Sequence, residues 1–250
     1  MHRLAYTFHG PPDGFPVVLL HHGLGSSAAW RAQVPALVEA GFRVLTYDRW
    51  GYGASEPRPR LHTPWFEPDV EDLAALLDTL GLAQVALVGH SDGGTIALYF
   101  AARHPQRVRA LVTVAAHVYV DPTMQPGMEA LRQVYERSEA FRRALDRTHA
   151  GRGDAVFEMW YQGWHRPEVW NWDARPLLRH VEAPTLVVQG TADEYAPPSH
   201  AEAIAAALPN ARLALVPEAP HMLPQEHAAA FNTLLLDFLA DYRPSDDPTI

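Results

Sequence analysis

The sequence predicts an α/β protein built on a mostly parallel sheet flanked by helices, and three observations carry that prediction. Short apolar runs recur along the chain. Spans with helical periodicity separate them. The runs are also apolar throughout instead of alternating with polar residues, which is how strands covered on both faces read. Such alternation of strand and helix implies right-handed βαβ crossovers.

The elements follow in order. Val17–Leu20 reads as a strand and Ser26–Ala40 as the helix after it. Arg43–Tyr47 is the next strand, followed after a loop by a helix over Val70–Leu80. In that helix Val70, Leu73, Leu76, Leu77 and Leu80 line one face, and Gly81 supplies the stop. Val85–Val88 leads into a helix over Thr95–Arg103, and Ala110–Val114 opens onto a segment of different character. Thr185–Val188 precedes a helix over His200–Leu208, and Leu213–Val216 precedes a last helix over Glu226–Leu239. From 118 to 180 the rhythm breaks into charge-rich helical patterns holding Trp160, Trp164, Trp170 and Trp172. An insertion of this kind between two strands reads as a helical cap. The expected division is therefore a core of residues 1–117 and 181–250 with a cap of 118–180. The cap's aromatics either line a pocket or form its own small core. The polar, proline-bearing tail after Tyr242 is expected to fray.

Composition narrows the function. A chain of 250 residues corresponds, at ~150 per domain, to one large domain with an appendage. The absence of cysteine excludes disulfides, a thiol nucleophile, iron–sulfur clusters and cysteine-based zinc sites. A net charge of −9, with no run of lysine or arginine, argues against nucleic acid as a partner. No metal site is expected either: His-Glu-x-x-His is absent, and the adjacent His21-His22 pair does not make one. The first residues carry no long apolar stretch, and no run approaches the ~18 residues of a membrane span. The expectation is a soluble, cytoplasmic enzyme without membrane association; its oligomeric state is not legible.

The strongest local signal is Gly89-His90-Ser91-Asp92-Gly93, a Gly-x-Ser-x-Gly between an apolar strand and a helix. A sharp turn there presents the serine hydroxyl at the carboxyl edge of the sheet, near the positive end of the helix. Glycines two residues before and after it keep neighbouring chain segments from clashing. A serine hydroxyl needs a base oriented by an acid. Among 14 histidines, His221 lies in the loop after the last strand, on the same sheet edge. Asp193 follows the preceding strand in a Gly-x-x-Asp loop, with Glu194 and Asp121 as rival acids. The chain order Ser91, Asp193, His221 suits this architecture. Donors for an oxyanion are expected from the backbone N–H of Asp92 and of Leu24, in the loop His21-His22-Gly23-Leu24-Gly25. His22 is expected to brace that loop.

Together, His22-Gly23-Leu24-Gly25, Asp48-Arg49-Trp50-Gly51-Tyr52-Gly53-Ala54-Ser55, the serine turn, Asp193 and His221 resemble the α/β-hydrolase superfamily from about residue 15 to 240. Trp50 is a departure that touches no catalytic role. The resemblance implies an eight-stranded sheet, a Ser91–His221–Asp193 triad and no cofactor. Ser91-Asp92-Gly93-Gly94, the exit Ala116-His117-Val118-Tyr119-Val120 and the cap length look like the valacyclovir hydrolase (biphenyl hydrolase-like) group. In that group the aspartate after the nucleophile recognises the α-amino group of amino-acid esters; the plainer reading is that Asp92 complements the helix N-terminus. The expected activity is thus hydrolysis of a small-molecule carboxylic ester through an acyl-enzyme, with Asp92, His117, Trp160 and Trp164 contacting substrate. The alternatives are hydrolysis of a carbon–carbon bond, as meta-cleavage hydrolases perform, and a non-catalytic ligand receptor on the same fold.

Overall fold

Seven strands form one sheet in the computed structural model, which describes residues 2–61 and 66–242. They are β1 (Tyr6–His9), β2 (Pro16–Leu20), β3 (Arg43–Tyr47), β4 (Val85–His90), β5 (Val108–Val114), β6 (Thr185–Gly190) and β7 (Ala211–Val216). Their spatial order is β1-β3-β2-β4-β5-β6-β7. β1 runs antiparallel to β3, and every other neighbouring pair is parallel. The central strands are buried along both faces because helices cover both. Residues of β2 divide accordingly: Val18 and Leu20 enter one apolar cluster, Val17 and Leu19 the other. This is the period-2 alternation of a pleated strand, hidden in the sequence because both faces are apolar.

The helices are α1 (Gln33–Glu39), α2 (Glu67–Thr79), α3 (Asp92–Arg103), α4 (Gln125–Arg137), α5 (Glu139–Thr148), α6 (Gly153–Trp164), α7 (Arg175–Leu178), α8 (Pro198–Ala207), α9 (Leu223–Glu226) and α10 (Ala228–Ala240). α1 and α10 pack together on one side of the sheet, while α2, α3, α7 and α8 form the other layer. Gly81 ends α2 with φ +67°, the left-handed conformation that glycine adopts at little cost. The span between β5 and β6 holds α4, α5, α6 and α7. Its ends meet in an antiparallel bridge between Tyr119 and Asp173 and a bond from Ala174 N–H to the Val118 carbonyl. The insertion thus leaves and re-enters the core at one point. No helix among the described residues is long and apolar enough to cross a membrane.

Several expectations are corrected. The sheet has seven strands among the described residues, not eight. Residues 2–5 add no strand because their backbone is engaged elsewhere. His2 N–H donates to Asp72, Arg3 N–H to Glu56 and Ala5 N–H to Ser55. The first helix is split into a 3-10 turn, Ser27–Trp30, and α1; the last is split at His227 into α9 and α10. β7 is apolar in sequence but, as the last strand, is paired with β6 on one edge only and is not fully covered on its faces, so Leu213 and Leu215 are exposed. The expected fraying of the tail concerns positions 243–250, outside the described residues.

Candidate active site

The turn from β4 into α3 puts Ser91 at φ +55°, ψ −121°, a conformation rarely adopted by a residue with a side chain. The glycines around it leave no room for a methyl group. A Cβ on Gly89 would overlap the Gly93 carbonyl, and one on Gly93 would overlap the Leu20 carbonyl. Both obstacles are backbone, so neither can swing aside. The turn therefore packs directly against the end of β2.

Ser91 Oγ lies 3.0 Å from His221 Nε2, and His221 Nδ1 lies 2.9 and 3.0 Å from the carboxylate oxygens of Asp193. With Nδ1–H donating to the carboxylate, Nε2 is the acceptor for the serine hydroxyl proton. Asp193 is fixed in turn by the N–H groups of Tyr195 and Ala196, each at 2.8 Å, and by Gln189 Nε2 at 2.8 Å. Burial by itself raises a carboxyl pKa; here the His221 hydrogen bond and these N–H donors outweigh it and hold Asp193 below the usual range. The rival acids have other partners. Glu194 accepts the backbone N–H of His221, and Asp121 accepts from Thr123.

Opposite His221 lies the loop after β2. The His22 carbonyl accepts from His21 Nδ1 at 2.8 Å, Arg49 Nη2 at 3.2 Å and Gly25 N–H at 3.1 Å. His149 Nδ1 accepts from Gly53 N–H, which leaves its Nε2–H to donate to the Leu24 carbonyl at 3.1 Å. A loop held by this many bonds keeps its amides in place. Asp92, as the first residue of α3, has no intrahelical acceptor for its N–H. The His22 ring lies 5.1 Å from that of His90 at a tilt of 58°, and burial, with the nearby His221 and Arg49, depresses its pKa to about 3.

These groups open onto a cavity of about 280 Å³. Ser91, Asp92, His117, Trp160, Trp164 and Leu24, all singled out from the sequence, line it. The remaining wall is largely apolar and comes from Met124, just before α4, from Met128 and Leu131 of α4 and from Phe141 and Leu145 of α5. The four insertion tryptophans divide: Trp160 and Trp164 face the cavity, Trp172 is buried with its Nε1–H on Tyr99, and Trp170 is exposed. Glu194 and Asp92 are the acidic lining residues, and no lysine or arginine lines the cavity among the described residues.

Sequence reasoning missed what stands behind Asp92. The Arg49 guanidinium, 1% exposed, lies 3.6 Å from Asp92 Oδ2 and 3.6 Å from Asp69 Oδ1. Asp69 also pairs with Arg58 at 2.8 Å, so the chain Asp92–Arg49–Asp69–Arg58 is electrically balanced. His117 Nε2 stands 3.4 Å from the other Asp92 oxygen. Burial raises the Asp92 pKa, but His117 and Arg49 outweigh it and keep the carboxyl ionised. No local pattern links Arg49 to Asp92; only the juxtaposition of β3 and β4 around β2 does.

The chain is similar to known proteins. A family profile described as "alpha/beta hydrolase fold" matches residues 16–174, and one described as "TAP-like protein" matches 153–248. The chain is 34% identical over 244 residues to the human protein named serine hydrolase BPHL, covering 95% of this chain and 83% of that one. It is 31% identical over 258 aligned residues to a 2-hydroxymuconate semialdehyde hydrolase of a Pseudomonas species, covering 94% and 90%. Among solved structures, a hydrolase from Pseudomonas aeruginosa superposes with a TM-score of 0.77 at 29% identity, covering 94% of each chain.

Proposed function

The chain belongs to the alpha/beta hydrolase fold family, and on that premise we propose that it is a serine-dependent hydrolase of small carboxylic esters acting through an acyl-enzyme. One observation carries the reading: the hydrogen-bonded run Ser91–His221–Asp193 opening onto an apolar cavity. Ser91 Oγ attacks the ester carbonyl as His221 Nε2 takes its proton. The N–H groups of Leu24 and Asp92 stabilise the resulting oxyanion. The tetrahedral intermediate collapses, the bond to the alcohol oxygen breaks, and His221 returns the proton to the departing alcohol. Water then gives its proton to His221, attacks the acyl-enzyme and releases the acid with Ser91 restored. Asp193 keeps the imidazole in the required tautomer throughout. Helices α4, α5 and α6 serve as the cap over this site and supply its apolar wall.

A preference for α-amino-acid esters is the finer form of this reading, favoured by the carboxylate of Asp92 beside the nucleophile. The relative named serine hydrolase BPHL is compatible with it. Carbon–carbon bond hydrolysis is the second reading, favoured by the relative named 2-hydroxymuconate semialdehyde hydrolase. Such a substrate carries a carboxylate, and a cavity lined by Asp92 and Glu194 without a described cationic residue is a poor receptor for it. The test is turnover of p-nitrophenyl butyrate by the purified protein and by Ser91→Ala. Hydrolysis that Ser91→Ala abolishes supports the proposal; a receptor without catalytic function gives no turnover in either.

A further inference from the structure

A primary amide is buried beneath the acid of the triad. Gln189 follows the apolar residues Leu186, Val187 and Val188 near the carboxyl end of β6 and is fully enclosed. Its Nε2 lies 2.8 Å from Asp193 Oδ2, 2.9 Å from the Ala196 carbonyl and 3.4 Å from the Gly190 carbonyl. All three are acceptors, which fixes the amide with its nitrogen toward them. Turned over, its oxygen would face a carboxylate with no proton between them. Gln189 Oε1 is buried without a hydrogen-bond partner among the described residues. An orphan of that kind is a cost to the fold that an apolar side chain would not carry. The use of the amide therefore lies in what its N–H groups hold.

The two oxygens of Asp193 are held differently. Oδ1 accepts the backbone N–H groups of Tyr195 and Ala196, each at 2.8 Å. Besides His221, Gln189 is the only donor to Oδ2 among the described residues. His221 Nδ1 stands 3.0 Å from Oδ1 and 2.9 Å from Oδ2. Anchoring Oδ1 fixes one point of the carboxylate. The second anchor, at Oδ2, sets the tilt of its plane and with it the direction in which His221 Nδ1–H points. We propose that Gln189 is a positioning residue for the serine hydrolase reaction, holding the Asp193 carboxylate so that His221 Nε2 is aimed at Ser91 Oγ, 3.0 Å away. Gln189 is not among the residues lining the cavity, so it acts through Asp193 and not on substrate. The proposal rests on the serine hydrolase reading.

Gln189→Met tests it, because methionine keeps the length and packing of the side chain and removes both N–H groups. With p-nitrophenyl butyrate as substrate, kcat falls about 10- to 100-fold, the range of a hydrogen bond to a charged group. KM changes by less than about 2-fold, since the cavity wall is untouched. The exchange gives up donors and relieves one orphan, so the thermal midpoint stays within about 5 °C of the parent. In an Asp193→Ala background no carboxylate remains to be held, and adding Gln189→Met lowers kcat by less than about 2-fold. A residue that merely braces the loop behaves otherwise: its loss shifts Glu194 and Tyr195, which line the cavity, and so raises KM in either background. An unchanged kcat, a loss confined to KM, or an equal loss of kcat with and without the Asp193 carboxylate overturns the proposal. A Gln189→Met protein that does not fold overturns it too, because the amide is then structural. Wild-type protein that fails to hydrolyse the ester, or Ser91→Ala that succeeds, sinks the serine hydrolase reading and this proposal with it. Brisk wild-type turnover matched by Gln189→Met sinks this proposal alone.

Discussion

Arg49→Met tests how the charge beside Ser91 is sustained. At 3.6 Å, and with an effective dielectric of ~20, the Arg49 guanidinium attracts the Asp92 carboxylate by about 4–5 kcal/mol. Asp69 keeps Arg58 at 2.8 Å when Arg49 is removed, so the uncompensated charge falls on Asp92, with only His117 beside it. Methionine fills most of the volume, which leaves the electrostatic loss as the main effect. Stranding one partner of a buried pair costs about 3–5 kcal/mol, a large share of the 5–15 kcal/mol that typically separates folded from unfolded chains. With a slope of up to ~3 kcal/mol per molar, the urea midpoint falls by about 1–2 M. Adding Asp92→Asn to Arg49→Met removes the stranded charge and recovers at least half of the loss. A midpoint within about 0.3 M of the parent, or a double variant no more stable than Arg49→Met, refutes the compensation argument.

Three further outcomes follow from the same geometry. Asp193→Asn leaves the neighbouring N–H donors facing an amide and lets His221 settle in the wrong tautomer; kcat falls by roughly 10³–10⁴ with little change in KM, as read by p-nitrophenyl ester kinetics. Gly93→Ala drives a methyl into the Leu20 carbonyl and costs about 2–3 kcal/mol, lowering the midpoint of thermal unfolding by about 5–10 °C; an unchanged midpoint contradicts the packing described. His21, His90 and His200 are buried and His22 is half-buried beside the cavity; all four have depressed pKa values, mainly through desolvation, and His22 and His200 reach about 3. A base with a lower pKa in the folded state is protonated first in the unfolded chain, so acid favours unfolding. Below pH ~6.5 each such group removes about 1.4 kcal/mol of stability per pH unit, down to its folded pKa. Thermal melts that do not fall between pH 7 and pH 5 contradict that burial.

Much of the fold is legible because its central strands are apolar on both faces and end in loops of recognisable chemistry. Ser91, Asp193 and His221 lie far apart in sequence, but each follows a strand of the same parallel sheet. Parallel strands present all their carboxyl ends on one edge, so chain order alone brings these loops together. β1 escapes such reasoning because four residues, antiparallel at the sheet edge and half exposed, carry too little pattern. The same holds for the cavity wall. Met128, Leu131 and Leu145 are ordinary apolar residues on charged helices, and which of them face the site depends on how α4 and α5 dock. Arg49 is illegible for a different reason: its partner is 43 positions away and meets it only through the sheet order. Asp92 could be singled out as a carboxylate beside a nucleophile, but whether its charge was already balanced could not.

The proposal that Ser91 is an activated nucleophile is tested most directly by mass spectrometry after exposure to a fluorophosphonate. The expected result is a single adduct on the peptide containing Ser91 in the wild-type protein and none in folded Ser91→Ala. An adduct that persists in Ser91→Ala, or a folded wild-type protein that takes up no label, contradicts the account.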